Sequence, residues 1–354
     1  MIKNEYISCP YLESGISFKK NSIDFCCVAH SNNKGCTKIC SYEGGEIPIN
    51  EILDRRQQVI SSIQKNENTS CKGCYLLEKR SWENLNNKFT NIILAYPDIC
   101  DLSCNYCYVS KYNNKLLHSF GLDYDILDTF KSMAKNNLFA HNALVLLAAG
   151  EPTLHKKFDA IVEFSTNYNL LVTVCSNGVS YKNSIMKGLE SNKLFLICSI
   201  DAGTSEVYSQ IKGRDKFDVV IRNLKQYALA GERRGVQVKY IFTNENSNGS
   251  QVNEFINICV ENKFNKIIIS RNFTSHGVHA TENKIDLPPA MIEGIIYMIE
   301  LLVQFRLEFD ISAEAFRSEE VELLEKLYIT KNDENVPLKQ IWLKSKYKHY
   351  YHHQ

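Results

Sequence analysis

Residues 91–110 read NIILAYPDICDLSCNYCYVS, and the two halves of this stretch predict different structures. The first half is an apolar run typical of a buried strand. The second half places Cys100, Cys104 and Cys107 at intervals of four and three residues, so a short loop after the strand carries three thiols. Such a loop suits a zinc ion, an iron–sulfur cluster or a disulfide, and it also suits thiols that bind nothing.

The composition favours a globular protein of the cytoplasm. The chain has 354 residues, of which 44% are hydrophobic, and its 41 basic and 40 acidic residues give a net charge of +1. A charge so close to zero argues against nucleic-acid binding driven by bulk charge. No apolar run has the length of a signal peptide or a membrane span, so we expect no membrane partner. In a reducing compartment, closely spaced cysteines are typical of metal sites or catalytic groups rather than disulfides.

The apolar run after residue 90 is the first of six that alternate with helical patterns. The other five are NALVLLA, LLVTVCS, KLFLICSI, VQVKYIFT and KIIIS, and each precedes a stretch with helical periodicity. Continuous apolar strands that alternate with helices predict a parallel sheet covered by helices, an α/β fold. Six such units fit a partial (β/α)6 TIM-like barrel or an open doubly wound sheet.

Three segments of different composition divide the chain. Residues 1–87 are rich in Cys, Asn and Ser and lack the alternation, which predicts a small Cys-rich domain that a core alone does not hold together. Residues 88–310 form the predicted barrel. Residues 311–354 are helical and then basic, ending in LKSKYKHYYHHQ, and we expect a tail on the surface.

The most informative motifs lie where predicted strands end. The cysteine loop follows the first strand, AAGEPT ends the second, SNG ends the third and SIDAG ends the fourth. In barrels of parallel strands the chemistry takes place at this end of the strands. We therefore expect these motifs to share one face of the barrel.

With these motifs the chain resembles the radical S-adenosylmethionine (SAM) superfamily, whose signature is CxxxCxxC with an aromatic residue before the last cysteine. Cys100, Cys104 and Cys107 match this signature, and Tyr106 is the aromatic residue. AAGEPT is similar to the family's GGEP segment, CSNG to its third-strand motif, and SIDAGTSEVYSQIKG to the fourth-strand segment of peptide-modifying members. The resemblance covers about residues 88–275. It implies a 4Fe–4S cluster on three cysteines, with one iron open to SAM.

The resemblance also implies which residues bind the cofactor. Glu151 accepts a hydrogen bond from the SAM ammonium, a charge-assisted contact, and Gly150 allows a close approach of the backbone. Ser199 faces the ribose, and Lys212 stands where the family often has an arginine for the SAM carboxylate. Ala149 replaces the family's first glycine. The implied cofactor-binding set is Tyr106, Gly150, Glu151, Asn177, Ser199 and Lys212.

Seven of the thirteen cysteines lie before residue 75. The stretches CPYLESGISFKKNSIDFCC and SCKGCYLLEKRSW flank a predicted helix and resemble the auxiliary-cluster segment, of SPASM or twitch type, of radical SAM maturases. In those enzymes the segment follows the barrel, whereas here it precedes it. The implied ligands of an auxiliary 4Fe–4S cluster are Cys9, Cys27, Cys71 and Cys74, with Cys26 as the alternative to Cys27. Zinc is the alternative metal, and Cys36 and Cys40 form a further CxxxC pair.

Other residues past strand ends are weaker candidates for chemistry. Cys175 and Cys198 could donate a hydrogen atom to a substrate radical, although isolated cysteines commonly pack as small apolar residues. Four polar residues could line a substrate pocket: Asp201, Arg271, His276 and His279.

Three hypotheses for function follow. The first is a radical SAM enzyme that modifies a peptide or protein, with an external reductant such as flavodoxin or ferredoxin as a partner. The second is a radical SAM dehydrogenase, dehydratase or epimerase that acts on a carbohydrate or another small metabolite. The third is a non-catalytic metal-binding protein, which the intact cysteine motif and Glu151 argue against. Sequence alone does not identify the substrate.

Overall fold

The structure, a computed structural model, describes residues 5–26, 38–72, 74, 76–82, 87–95, 99–107, 124–230, 235–272 and 287–347. These residues form two compact units. The first unit consists of the described residues up to 99 together with 124–173, and the second consists of 100–107 and 174–347.

From residue 89 onward each described strand is followed by at least one α-helix, and β9 and β12 are each followed by two. The strands are β1 (Tyr6–Ser8), β2 (Gly15–Lys19), β3 (Ser22–Asp24), β4 (Lys38–Ser41), β5 (Glu78–Arg80), β6 (Phe89–Ala95), β7 (Phe139–Ala148), β8 (Leu171–Ser176), β9 (Leu194–Ser199), β10 (Val236–Phe242), β11 (Lys266–Arg271) and β12 (Glu308–Ile311). The helices are α1 (Pro10–Ser14), α2 (Ile49–Gln64), α3 (Ile126–Lys135), α4 (Phe158–Asn167), α5 (Asn183–Glu190), α6 (Ser205–Lys212), α7 (Phe217–Ala228), α8 (Gly249–Glu261), α9 (Pro289–Gln304), α10 (Ser318–Asn332) and α11 (Leu338–Tyr347).

In the first unit, strands pair in the order β7-β6-β2-β3-β4. The pairs β7–β6 and β6–β2 are parallel, and the pairs β2–β3 and β3–β4 are antiparallel. β1 and β5 form a separate antiparallel ribbon. Ile16 and Phe18 of β2 and Ile92 and Leu94 of β6 are fully buried, so the N-terminal strands share an apolar core with the first barrel strand.

In the second unit, β9, β10, β11 and β12 pair in that order, and all three pairs are parallel. The strands carry fully buried apolar residues such as Val238, Phe242 and Ile267. Near-continuous apolar strands of this kind need helices over their faces, and α7 and α8 supply apolar residues such as Leu224 and Phe255, which are also fully buried.

The fold class is confirmed by these elements. Each of the six predicted strands is present, as β6 to β11, and the described pairs among them are parallel, as a TIM-like α/β fold requires. The sequence did not predict β2, β3 and β4, which join β6 in one unit across the proposed boundary at residue 87. That boundary, and the division into three domains, stay predictions.

The C-terminal segment differs from the surface tail that its basic composition predicted. Leu338 of α11 is fully buried, Trp342 is nearly so, and the Trp342 indole N–H donates to the carbonyl of Phe316 at 3.2 Å. The segment therefore packs on the second unit at least as far as Trp342. None of the helices formed by the described residues combines the length and the apolar character that a bilayer crossing requires.

Candidate active site

The cysteine loop rests on the end of α6. The backbone N–H groups of Ser103 and Asn105 donate to the carbonyls of Lys212 and Ile211 at 2.9 and 2.8 Å. These carbonyls lie in the last turn of the helix, where no later helical N–H group can donate to them. Gly213 ends the helix with a φ of 71°, and a Cβ there would lie 2.7 Å from the carbonyl oxygen of Ser103. Glycine thus allows the loop to approach the helix end.

The three loop thiols are partly exposed and none is in a disulfide. The backbone N–H of Cys107 donates to the carbonyl of Cys104 at 3.1 Å, which folds the CxxC half of the motif into a turn. Burial raises the pKa of the Cys104 thiol to about 11. Ligation of a metal at Cys104 therefore requires loss of a proton that the apo-protein holds strongly.

Asn177, which follows β8, touches the start of the loop. Its side-chain amide donates to Asp101 Oδ1 at 2.6 Å and to Cys100 Sγ at 3.6 Å. Its own Oδ1 accepts the backbone N–H of Val179 at 2.9 Å, so the amide is held in one orientation. The sequence predicted Asn177 as a cofactor-binding residue but did not single out Asp101, whose only signal is its position next to Cys100.

A buried ionic network lies behind the loop. Lys212 Nζ donates to Asp201 Oδ2 and, at 2.9 Å, to the Tyr106 hydroxyl. The Tyr106 hydroxyl in turn donates to Asp201 Oδ2 at 2.5 Å. The side chains of Lys212 and Asp201 are 3% and 0% exposed, so the pair is shielded from solvent.

The network is anchored on the strands of the second unit. Asp201 follows β9 with a φ of 60°, a left-handed conformation that aspartate tolerates better than most residues. Its Oδ1 accepts the backbone N–H of Ile241 at 2.7 Å, and its backbone carbonyl accepts the side-chain amide of Asn246 at 2.8 Å. Both carboxylate oxygens are thus occupied inside the protein, which leaves Asp201 poorly placed to line a substrate pocket.

The network perturbs the pKa values of its members. Burial, the largest single effect, acts to lower the pKa of Lys212, but the Asp201 charge and hydrogen bond together with the nearby Cys104 and Cys198 outweigh it, and the pKa is raised above its ordinary value. Burial, and then the Asp201 charge, raise the pKa of Tyr106 far above its ordinary value. Lys212 is therefore charged and Tyr106 neutral at physiological pH.

In the first unit, AAGEPT forms a tight turn at the end of β7. Ala149 and Gly150 both have left-handed backbones, with φ of 71° and 56°. The backbone N–H of Glu151 donates to the carbonyl of Ile99, the residue before Cys100 in the chain, at 2.7 Å. The Glu151 side chain is buried, and its Oε1 accepts the backbone N–H and the hydroxyl of Thr153 at 3.2 and 2.6 Å. Glu151 is not a solvated surface charge.

The remaining candidates lie at different depths. Ser199 and Cys175 are half-buried near the ends of β9 and β8, whereas Cys198 is fully buried. A Cβ on Gly178 would lie 2.9 Å from Cys198 Sγ, so that sulfur packs tightly in the core. Arg271 binds Glu320 through Nη2 at 2.9 and 3.1 Å and does not point to a substrate. His276 and His279 lie outside the described residues.

Three of the N-terminal cysteines, Cys26, Cys71 and Cys74, lie close enough to Cys9 to act on it electrostatically. Burial raises the pKa of Cys9, and Cys26, Cys74 and Cys71 add to the effect. Cys9, Cys26 and Cys71 are buried, and Cys74 is partly exposed. The backbone N–H of Leu12 donates to Cys9 Sγ at 3.4 Å, and that of Cys74 to the carbonyl of Cys71 at 3.0 Å.

The structure thus gathers the predicted alternative, Cys26, with the other three cysteines. Cys27 and Cys36 lie outside the described residues, and Cys40 is buried. Across the described ranges, no three His, Cys, Asp or Glu side chains are arranged to hold a single metal ion. Tetrahedral zinc requires each sulfur at about 2.3 Å from one ion. In a 4Fe–4S cluster each thiolate binds a different iron, so the thiols stand farther apart.

Comparison with known proteins shows what this part of the chain is similar to. Residues 95–248 match the profile of the Radical SAM superfamily. Mycofactocin maturase MftC of Mycobacterium tuberculosis is 29% identical over 136 residues, 38% of this chain and 32% of its own length. GTP 3',8-cyclase of Pasteurella multocida is 25% identical over 165 residues, 46% of this chain and 48% of its own length. The chain therefore spans about a third to a half of these curated relatives.

One similar solved structure is that of Streptococcus suis SuiB bound to S-adenosylmethionine. It aligns with 76% of this chain and 56% of SuiB, with a TM-score of 0.50 and 18% sequence identity. A likeness at this identity concerns the fold. The matched profile includes Cys100, Cys104, Cys107, Glu151 and Asp201. Over residues 95–248 the chain is therefore similar to the Radical SAM superfamily.

Proposed function

We propose that this protein is a radical SAM enzyme that abstracts hydrogen from a peptide or protein. The observation that carries the proposal is the loop of Cys100, Cys104 and Cys107, within the matched domain, with its thiols partly exposed and its backbone fastened to α6. The donor set fits a 4Fe–4S cluster on chemical grounds, because three thiols in one short loop leave one iron without a protein ligand. Those three cysteines would hold the cluster.

When bound, the cluster and SAM would supply the radical chemistry: one-electron reductive cleavage of SAM, with the electron from an external reductant of flavodoxin or ferredoxin type, and abstraction of a hydrogen atom from the substrate. The residues of this chain bind and orient. Glu151 would accept the SAM ammonium, and the left-handed Gly150 would allow the backbone to approach it. Ser199 would face the ribose, with Tyr106 and Asn177 beside the cluster loop.

The N-terminal cysteines would hold an auxiliary 4Fe–4S cluster. The ligands we propose are Cys9, Cys26, Cys71 and Cys74, since the last three each act electrostatically on Cys9 and since an N–H group already donates to the Cys9 sulfur. Hydrogen bonds to cluster-ligating sulfurs are among the factors that set the reduction potential. With four protein ligands no iron is open, so the role of this cluster would be electron transfer or structural support.

Two relatives point to two substrate classes. The maturase relative favours a peptide, and SIDAGTSEVYSQIKG resembles the fourth strand of peptide-modifying members. The cyclase relatives match a larger share of this chain and favour a small metabolite such as a nucleotide. We place the peptide first because the maturase relative has the higher identity and because the cysteine-rich segment also resembles a part of maturases.

The proposal is tested by SAM cleavage. Anaerobically reconstituted protein with dithionite and SAM is expected to yield 5′-deoxyadenosine, and the variant with Cys100, Cys104 and Cys107 all changed to Ala is not. Equal product from both proteins would overturn the proposal.

The substrate class needs its own test. GTP should neither stimulate cleavage nor be consumed, whereas a peptide encoded by a neighbouring reading frame should change in mass only with the intact loop. Consumption of GTP would establish the second candidate.

A further inference from the structure

We propose that Lys212 is a positioning residue of the cysteine loop. Its ammonium binds Asp201 and Tyr106 inside the protein instead of the SAM carboxylate. This inference rests on the proposed function, since it concerns how the chain holds its cluster and SAM. It replaces the role that the resemblance implied for this lysine.

The first step is the burial of the ammonium. The Lys212 side chain is 3% exposed and Asp201 is 0% exposed, and the two are in direct contact. An ammonium has three N–H groups, and Lys212 gives one to Asp201 and another to the Tyr106 hydroxyl. Because the side chain is buried, a SAM carboxylate could reach the ammonium only if the ammonium moved away from Asp201. The aspartate would then stay in the interior as an unpaired charge, which is strongly unfavourable.

The second step is the connection to the loop. Tyr106 lies between Cys104 and Cys107 in the chain, and its hydroxyl is bonded to both members of the ion pair. The Lys212 carbonyl accepts the backbone N–H of Ser103. Residue 212 thus holds the loop through its side chain on one side of Cys104 and through its backbone on the other.

The third step is the rigidity of the anchor. Asp201 is fixed by the backbone N–H of Ile241 and by the side-chain amide of Asn246, which also donates to the carbonyl of Ile241 at 2.9 Å. The network therefore fixes the position of the loop cysteines relative to β10.

Two single variants and their combination separate the two roles. Lys212→Gln leaves Asp201 as a buried unpaired charge, and Asp201→Asn leaves Lys212 as a buried unpaired charge. The double variant has neither charge and keeps side chains that can form hydrogen bonds. If Lys212 positions the loop, each single variant should lose most of its loop cluster, measured as SAM-responsive EPR signal. The double variant should regain the signal and bind SAM within about threefold of wild type. Lys225→Gln, at an exposed lysine of α7, is the matched control.

The alternative role makes opposite predictions. If Lys212 binds the SAM carboxylate, the double variant should load its cluster normally but bind SAM at least tenfold more weakly, which would overturn the inference. Lys212→Arg gives a second comparison. Arginine keeps a positive charge that a ligand could use but is too large for the buried pair. If Lys212 positions the loop, this variant should lose its cluster. Unchanged SAM binding would contradict the positioning role.

A measurement on the apo-protein keeps the inference separate from the proposed function. Thermal unfolding of the four metal-free proteins gives the coupling between the two side chains. A double variant that is more stable than either single variant supports the buried pair even if no cluster is ever loaded. Additive losses would overturn the pairing. Failure of the wild type to cleave SAM would count only against the proposed function.

Discussion

The α-carbon of Gly213 faces the carbonyl of Ser103 so closely that an added Cβ would lie 2.7 Å from the oxygen. This is where the helix that ends in Lys212 meets the cysteine loop. The contact depends both on a missing side chain and on a left-handed φ of 71°.

Gly213→Ala should therefore destabilise the protein by about 1–3 kcal/mol, since it combines backbone strain with a steric conflict. It should also lower the iron content of the loop site. Gly45→Ala is the matched control, because Gly45 has a φ of 92° but no atom within 4 Å of a built Cβ. The two variants should lose similar conformational energy, and only Gly213→Ala should lose iron. Equal iron content in both would show that the loop does not depend on this contact.

Ala149→Gly should stabilise the protein by about 1 kcal/mol. A left-handed φ costs a residue with a Cβ about 1–2 kcal/mol, and glycine removes this cost. Thermal unfolding of the metal-free protein measures the effect. Ala148→Gly, one residue earlier within β7, should have the opposite sign and cost about 0.5–1 kcal/mol. Destabilisation by both changes would mean that Ala149 is not strained.

Glu151→Gln should weaken SAM binding about ten- to a hundredfold, the effect of losing a charge-assisted hydrogen bond of about 1.5–3 kcal/mol. Calorimetry on the cluster-loaded protein measures the affinity. Thr153→Val is the control, because it removes the hydroxyl that donates to Glu151 at 2.6 Å while it keeps the carboxylate. Its affinity should stay within about threefold of wild type. If Glu151→Gln binds SAM with wild-type affinity, Glu151 only stabilises the turn and does not bind SAM.

Cys26 can be tested against Cys40 in the variant that lacks the three loop cysteines. That protein should remain brown with about four irons, the content of one 4Fe–4S cluster. Cys26→Ser should lose most of this iron. Cys40→Ser should retain it, because Cys40 lies in β4, where it pairs with Ile23 of β3, and is not among the thiols that act on Cys9. A colourless protein that contains one zinc ion would show that these cysteines form a zinc site and not a cluster.

The Lys212–Asp201 pair should also give a pH signature. The Lys212 pKa is raised above its ordinary value of 10.5 by folding. A basic group with a raised pKa stabilises the folded state fully below its unfolded pKa, and this contribution disappears as the pH rises through the folded pKa. The stability of the wild type minus that of the double variant Lys212→Gln, Asp201→Asn should therefore be constant from neutral pH to about pH 10 and fall above it. Urea unfolding at several pH values measures this, and a difference that grows with pH would contradict the pair.

The strands and the cysteine loop could be predicted because their signals are local. Apolar runs such as NIILAY and KIIIS are long enough to identify a strand by themselves, and the three cysteines stand within eight residues of sequence. The pairing of β2 with β6 was missed because Ile16 and Phe18 form too short a pattern, and because partner choice depends on the whole fold.

The ionic network was missed for a different reason. Lys212 and Asp201 are eleven positions apart, and Tyr106 is 95 positions from Asp201. Charged residues are rarely buried, so a lysine at the end of a helix is expected in solvent. The left-handed Asp201 and the Gly213 helix end bring the three groups together, and neither is visible as a pattern of residue types.

The parallel pairing of β2 with β6 has a consequence for the whole chain. A fragment that began at residue 88 would expose the flank of β6 that β2 covers, with its row of unpaired N–H and C=O groups. Such an open flank invites other chains to add to the sheet, and aggregation follows. The N-terminal segment, whatever its cysteines bind, thus covers the edge of the strand that leads to the radical SAM motif.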